Sequence, residues 1–425
     1  MGSKITKNKE QRTKKDNKFL HFVTCYLLLI ISLFLLIPSL YAQQGPDIVS
    51  RAAVVIDAAT GTCVYAKNAD EEIPPASLTK LMTMHLVMNQ VAAGRASFDE
   101  TVPLSRESWA INQPPRSSLM FLGPGQTVTL REIMLGLAVS SGNDAAVAAA
   151  LAFAPTVPDF VSMMNGEARR MGLEKTRFVE PAGISENNIT CAADFAFFCR
   201  AYLALHPEST ANFHSVPEFS YPTAANVADA YRDNPRTITQ SNRNNMLKTF
   251  PGVDGLKTGY IDEAGYNIAL TAERQGSRFI AVILGAPARP GGERIRDDDG
   301  RRLLSWAFDN FKTVRPQIAE LEPARLWKGK EKKVWLKMAR SDPWLAESDT
   351  FTAVKSRAGA LWYSVEIAQP LIAPLPAGAP CGWLIISDEM GELHRVQLLS
   401  AQAYERGNVF VRLWHSIRLL FYKPC

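Results

Sequence analysis

Apolar positions change their spacing several times along this chain, and each change predicts an element. Residues 51–66 (RAAVVIDAATGTCVYA) set two apolar runs on either side of Thr60-Gly61, the pattern of a β-hairpin. Residues 77–91 are mostly apolar and are followed by Gly94 as a stop signal, which predicts a helix. Residues 130–151 predict an alanine-rich helical region interrupted by the polar residues Ser140 to Asn143, and residues 191–205 predict another helix. Two β-prone runs, 265–272 and 279–285, flank Arg274-Gln275-Gly276-Ser277 and read as a second hairpin; a short amphipathic helix over 303–311 follows. Strands at both ends of a helical middle predict an α/β sandwich with an antiparallel sheet, over residues 43–312.

Beyond it the texture shifts to short β-prone runs such as 332–337, 361–367 and 382–387. Turns at 376–379 and 389–392 separate them, which predicts a small all-β domain over 313–403. Residues 404–425 differ again. Val409, Phe410, Leu413, Trp414, Ile417, Leu420 and Phe421 recur at helical spacing, with Arg412, Arg418 and Lys423 mostly on the other side and no acidic residue after Arg406. An amphipathic helix of this composition suits an anionic membrane surface, with docking on the β-rich domain as the other reading.

The N-terminus carries the charge. Residues 1–18 hold seven Lys and Arg against two acidic residues, which accounts for the whole formal charge of +5. Residues 19–425 are therefore neutral, and a nucleic-acid partner, which needs a basic face on the folded part, is not expected. An apolar run from Phe19 to Ile37 and the small Ala42 before Gln43 complete the parts of a secretory signal over 1–42. An uncleaved anchor is the alternative, because the run approaches the length that spans a bilayer. Both place the bulk of the chain outside the cytoplasm.

With 425 residues, 47% hydrophobic and 21% charged, the chain is long enough for more than one folded unit with a sizeable core. Its six cysteines form no CxxC or Cys/His cluster, and Cys191 and Cys199 lie too far apart on one straight helix to bridge. The six histidines form no HExxH pair, so neither a metal nor another cofactor is expected.

Three short motifs carry the chemistry. Ser77-Leu78-Thr79-Lys80 starts a predicted helix, where a spacing of three puts hydroxyl and amine on one face. A serine needs a neighbouring base to become nucleophilic, and lysine serves only if burial or a nearby positive charge keeps it neutral. Ser141-Gly142-Asn143 interrupts an apolar helical run, where a polar residue either caps a break locally or faces a site. Lys257-Thr258-Gly259 falls on a predicted strand. Its lysine would attract a carboxylate and disfavour charge on Lys80, while Gly259 would leave room for a ligand backbone along the strand edge. Each motif alone has an ordinary structural explanation. SxxK, SxN and KTG in this order form the signature set of β-lactamases and penicillin-binding proteins.

On these motifs, together with Phe178-Val179-Glu180-Pro181-Ala182-Gly183, Asn242-Arg243-Asn244, residues 253–267 and Glu293-Arg294-Ile295-Arg296, the chain resembles the low-molecular-mass penicillin-binding proteins, the D-alanyl-D-alanine carboxypeptidases of serine peptidase family S11. The resemblance runs from about Ile48 to the end. It implies a penicillin-binding fold, peptidoglycan stem peptides as substrate and β-lactams as covalent inhibitors. It makes Ser77 the nucleophile and Lys80 the base, with Ser141 and Asn143 assisting proton transfer and substrate holding. Lys257, Thr258 and Gly259 would bind near the terminal carboxylate, joined by Arg296 and Arg243, although Arg294 and Arg296 also fit surface arginines. The oxyanion donors would be the backbone N–H groups of Ser77 and Tyr260. Tyr260 stands where several relatives have histidine, and Ala182 where a charged residue or histidine is common. DD-endopeptidase, β-lactamase and a catalytically silent wall-binding scaffold are the competing readings. A β-lactamase would need a deacylating glutamate of ExxLN type, which residues 174–188 do not offer.

Overall fold

Strand β1 (Ala52–Asp57) has all six residues buried and turns through Gly61, at φ +73°, into β2 (Cys63–Lys67). In the computed structural model, which describes residues 45–316, 318, 320–339, 349–368 and 370–422, this predicted hairpin is one edge of a five-stranded sheet. The other three strands are β3 (Val253–Ile261), β4 (Gly265–Arg274) and β5 (Ser277–Ala286). The order is β2-β1-β5-β4-β3 and every pairing is antiparallel, with Ala53 opposite Ile283. The sequence therefore closes on itself, its first hairpin beside its last strand, and β3 is left as a free edge. Residues 1–42, expected to hold a secretory signal, lie outside the described residues.

Both faces of this sheet are covered, which is why its strands read as unbroken apolar runs. Ala52, Val54 and Ile56 point with Ala269, Ile280, Val282 and Leu284 into a core built by helices α1 (Lys80–Ala92), α2 (Leu130–Leu135), α3 (Asn143–Phe153), α4 (Val157–Arg170) and α5 (Ala192–Leu205). Their neighbours Ala53, Val55, Ile268, Leu270, Ala281 and Ile283 face the opposite side, where α6 (Gly292–Asn310) contributes Leu303, Leu304, Ala307 and Phe308. The period of two along each strand thus divides one sheet between two cores.

Helix α6 is 19 residues long and begins eleven residues before the expected helix. Its first half, rich in Arg, Asp and Glu, shows no apolar stripe. The sheet admits it through Gly300, where a Cβ would stand 2.8 Å from Leu270. Buried Asp299 accepts hydrogen bonds from the Ser50 N–H and hydroxyl, at 2.8 and 2.6 Å, tying the start of β1 to the helix.

Past α6 the chain forms small sheets. Phe311–Val314 pairs with Phe351–Val354, and Asp57 at the end of β1 accepts from the Thr313 and Thr352 hydroxyls at 2.7 and 3.0 Å. A four-stranded antiparallel sheet follows the order Leu336–Met338, Gly391–Ser400, Pro380–Asp388, Trp362–Ile367. Its apolar clusters are small, Leu384, Val396 and Leu398 being one of them. Helix α7 (Val409–Leu420) is capped by the Asn408 side chain accepting from the Val411 N–H at 2.9 Å, and has no buried residue. The Lys328 N–H donates to His415 Nδ1 at 2.7 Å and Trp327 meets the His415 ring edge-on, so one side of α7 touches the β-rich region. Phe410, Leu420 and Phe421 remain more than 80% exposed. No single helix among the described residues is long and apolar enough to cross a membrane.

Candidate active site

Pro74-Pro75-Ala76 delivers the chain into a 3₁₀ turn, Ala76–Thr79, before α1 begins at Lys80. The predicted single helix is therefore two elements, and the difference matters: in a 3₁₀ turn side chains three residues apart lie directly in line. Lys80 Nζ stands 3.0 Å from Ser77 Oγ. It also donates to Asn143 Oδ1 at 2.8 Å and to the Ala182 carbonyl. With two of its directions taken by these acceptors, the third faces the serine, so a neutral amine has its lone pair available to the Ser77 hydroxyl.

Two glycines allow the Ser77 turn to be wedged so tightly. At Gly259 a Cβ would lie 2.9 Å from the Pro75 carbonyl oxygen and 3.0 Å from the Ser77 nitrogen. At Gly183, with φ +81°, it would collide with the Ala76 carbonyl at 1.9 Å. The room expected at Gly259 for a ligand backbone is thus filled by the chain's own Pro75–Ser77 segment. A ligand has the open edge of β3 beside it.

The break foreseen near Ser140 to Asn143 is present. A π-turn, Gly136–Ser140, runs into Ser141 at φ +58°, and α3 starts at Asn143. Buried Asp144 secures it by accepting the N–H groups of Met120, Phe121 and Leu122 at 2.8–3.0 Å, and the Asn143 N–H donates to the Ser118 carbonyl. Opposite, Lys257 on β3 donates to Ser141 Oγ and to its neighbour Thr258's carbonyl, both at 3.0 Å.

Both lysines are buried, Lys80 completely and Lys257 to 2% exposure. Burial drives the Lys80 pKa down to about 7, Arg243 adding to the effect while Glu180 and Asp144 oppose it. Lys257 is also held well below its ordinary range, first by burial and then by Lys80, Arg243 and Arg296. Each ammonium disfavours charge on the other.

A cleft of about 310 Å³ opens over these groups. Of the ten expected site residues, Ser77, Ser141, Arg243, Thr258, Gly259, Tyr260 and Arg296 line it, while Lys80, Asn143 and Lys257 form its buried floor. Arg243 is held there by its neighbours: Asn242 donates to the His214 and Val216 carbonyls, and Asn244 to that of Gly255. Arg243 has no ion pair among the described residues. Arg296 is 3% exposed and bonded twice to Asp297, at 2.9 and 2.7 Å, so it is not a surface arginine, and its charge is shared. The Tyr260 hydroxyl donates to Asp262 at 2.6 Å.

Arg116, Ser118, Asn245, Tyr266 and Glu293 line the cleft as well and were not among the expected residues. Arg116 sits in an irregular loop at φ +66°, where no periodicity marks it. Among the described residues no group of three or more His, Cys, Asp or Glu side chains could hold a metal ion.

Comparison with known proteins agrees with this fold. The sequence profile of D-alanyl-D-alanine carboxypeptidase, peptidase S11, matches residues 40–288. D-alanyl-D-alanine carboxypeptidase DacC of Escherichia coli is 31% identical over 402 residues, 92% of this chain and 94% of that one. The crystal structure of penicillin-binding protein 5 from Haemophilus influenzae superposes with a TM-score of 0.74 at 28% identity, covering 85% of this chain and 99% of that one. Penicillin-binding protein D2 of Listeria monocytogenes, solved with cefotaxime bound, is 29% identical with a TM-score of 0.53 over 63% of this chain and all of that one. The antiparallel α/β fold and the lysine-paired serine thus have one explanation: this chain belongs to the D-alanyl-D-alanine carboxypeptidase family S11 and is a serine peptidase.

Proposed function

We propose that this enzyme removes the terminal D-alanine from peptidoglycan pentapeptide stems through an acyl-enzyme on Ser77. The observation that carries this reading is the buried Lys80 amine, poised near neutrality, 3.0 Å from the serine oxygen. Lys80 takes the hydroxyl proton as Ser77 Oγ bonds to the carbonyl carbon of the D-Ala–D-Ala link. The backbone N–H groups of Ser77 and Tyr260 receive the developing oxyanion, which the close approach of Gly259 to the Ser77 nitrogen favours. As the C–N bond breaks, the proton held by Lys80 passes through Ser141, which Lys257 orients, to the leaving amine, and Lys80 is neutral again. Water, deprotonated by Lys80, then cleaves the ester and restores Ser77. Thr258, Arg243 and Arg296 meet the terminal carboxylate, and Asn143 the stem-peptide backbone.

A β-lactam would acylate the same serine and leave slowly. Rapid release of the bulkier penicilloyl group, as in the β-lactamase reading, would call for a carboxylate free to activate water, and both acids that act on Lys80 are engaged: Asp144 by four backbone N–H groups, Glu180 by those of residues 182–184. In this reading residues 1–42 direct export, 43–312 form the catalytic domain, 313–403 a β-rich domain, and 404–425 rest on the anionic outer face of the cytoplasmic membrane.

Incubation with a fluorescent penicillin tests the proposal. The wild-type chain is expected to be labelled covalently and to release free D-alanine from a pentapeptide stem; Ser77→Ala is expected to lose both at an unchanged melting temperature. Opening of cross-links without D-alanine release would make it an endopeptidase, rapid loss of label a β-lactamase, and a folded, unlabelled wild type a silent scaffold.

A further inference from the structure

The side chain of Glu180 takes no step in the reaction above, yet a whole segment is wound around it. Its carboxylate accepts the N–H groups of Ala182 and Gly183 at 2.7 Å and Ile184 at 2.8 Å, and the Asn188 side-chain amide at 2.8 Å. Asn188, fully buried, holds the other end: it accepts the Val179 N–H at 2.7 Å and donates to the Thr79 hydroxyl at 3.1 Å. Three further contacts with the 76–83 segment result. The Ala182 carbonyl receives Lys80 Nζ, the Pro181 carbonyl receives the Thr83 hydroxyl at 2.8 Å, and Gly183 lies against the Ala76 backbone.

We infer that Glu180 is a positioning residue for the reaction: it winds residues 180–185 so that the Ala182 carbonyl is aimed at Lys80, and it places one negative charge behind that amine. A carboxylate saturated by backbone donors is fixed in place, so both effects are built in before substrate arrives. The groups that bear on Lys80 are Ser77 from its own turn, Asn143 and Asp144 from α3, Lys257 from β3, Arg243 from the 242–244 segment and Glu180 from this loop. Burial and Arg243 lower the basicity of Lys80, while Glu180 and Asp144 restore part of it. Glu180 therefore offsets desolvation and keeps the base strong enough to hold a proton in mid-reaction. Removing its charge should weaken the base and let it stay neutral at lower pH.

This inference rests on the reading of Lys80 as general base, and its test keeps the two apart. The rate of labelling by a fluorescent penicillin is followed against pH for wild type, Glu180→Gln, Glu180→Asp and Thr83→Val. Wild type is expected to gain rate through an acid limb near pH 7. In Glu180→Gln the limb should move down by roughly one pH unit, and the plateau should fall about tenfold as the carbonyl loses its aim. Glu180→Asp and Thr83→Val keep the charge, so each should lower the plateau with the limb unmoved. An unmoved limb in folded Glu180→Gln overturns the inference while wild-type labelling leaves the Ser77 reading intact. If Glu180→Gln gives no cooperative melt, the other two decide: slowed labelling with a fixed limb supports the role, and wild-type rates in both overturn it. Wild-type protein that takes no label removes the reading of Lys80 itself.

Discussion

In the α/β part of this chain, Lys80, Lys257, Asp144 and Asn188 are buried and each has hydrogen-bond partners, whereas along α7 Phe410, Trp414 and Leu420 stand in solvent. Each arrangement runs against the usual sorting of side chains, in opposite directions. Taking an amine out of water costs free energy that folding must offset elsewhere, and here the large core beneath the sheet supplies the offset. The β-rich part has only small clusters and no such reserve. Buried charge marks where chemistry is expected, and exposed apolar surface marks where a partner surface is expected; the two are separated along the chain so that neither constrains the other.

The largest effect is expected from Lys80→Met. Labelling by penicillin should fall by about 10³-fold, the scale of a lost general base, while the fold should become more stable at neutral pH. The sign follows from the direction of the shift. Lys80 has a folded pKa of about 7 against an ordinary 10.5, so between these values the unfolded chain holds a proton that the folded chain lacks. Its destabilising contribution is complete below pH 7 and fades as pH rises toward 10.5, and urea melts across that window should lose this slope in the variant. A variant less stable than wild type at pH 7 would show that Lys80 holds its surroundings together rather than straining them.

Arg243→Gln comes next. An unpaired guanidinium facing a carboxylate is worth one charge-assisted hydrogen bond, so KM for a pentapeptide should rise about tenfold or more with kcat little changed. An equal fall in kcat would move Arg243 from binding to the reacting atoms. The smallest effect on catalysis is expected from Phe410→Glu combined with Trp414→Glu. Soluble substrates should be turned over within about twofold of wild type, as for surface changes away from the site. Binding to vesicles containing anionic phosphatidylglycerol should fall by about tenfold or more, since two large apolar groups no longer enter the interface. Loss of turnover in this variant would tie α7 to the cleft and end the separation.

The convergence of Ser77, Lys80, Ser141 and Lys257 and much of the sheet were legible because SxxK, SxN and KTG are side-chain patterns at fixed spacings, and because strands buried on both faces leave continuous apolar runs. The roles that the sequence did not disclose act through the backbone. Glu180 and Asp144 bind N–H groups, which every residue possesses, so no partner in the sequence advertises them. The first half of α6 was hidden because its charged residues are used for tethers such as Asp299 to Ser50, not displayed on an amphipathic face. At Gly259 the absent side chain admits the Pro75–Ser77 backbone as well as lining the cleft, since sequence shows that a side chain is missing but not what approaches the gap.

The sheet order has a consequence in time. β1 finds its partner in β5 only after more than two hundred intervening residues have been made, as the pairing of Ala53 with Ile283 requires. Contacts so distant along the chain form slowly. A nascent polypeptide that has emerged only as far as Lys80 owns its serine and lysine but no wall to bury them against, so the Lys80 amine stays protonated and, in the mechanism proposed above, the Ser77 hydroxyl stays inert. Synthesis itself thus delays reactivity until the peptidase is whole.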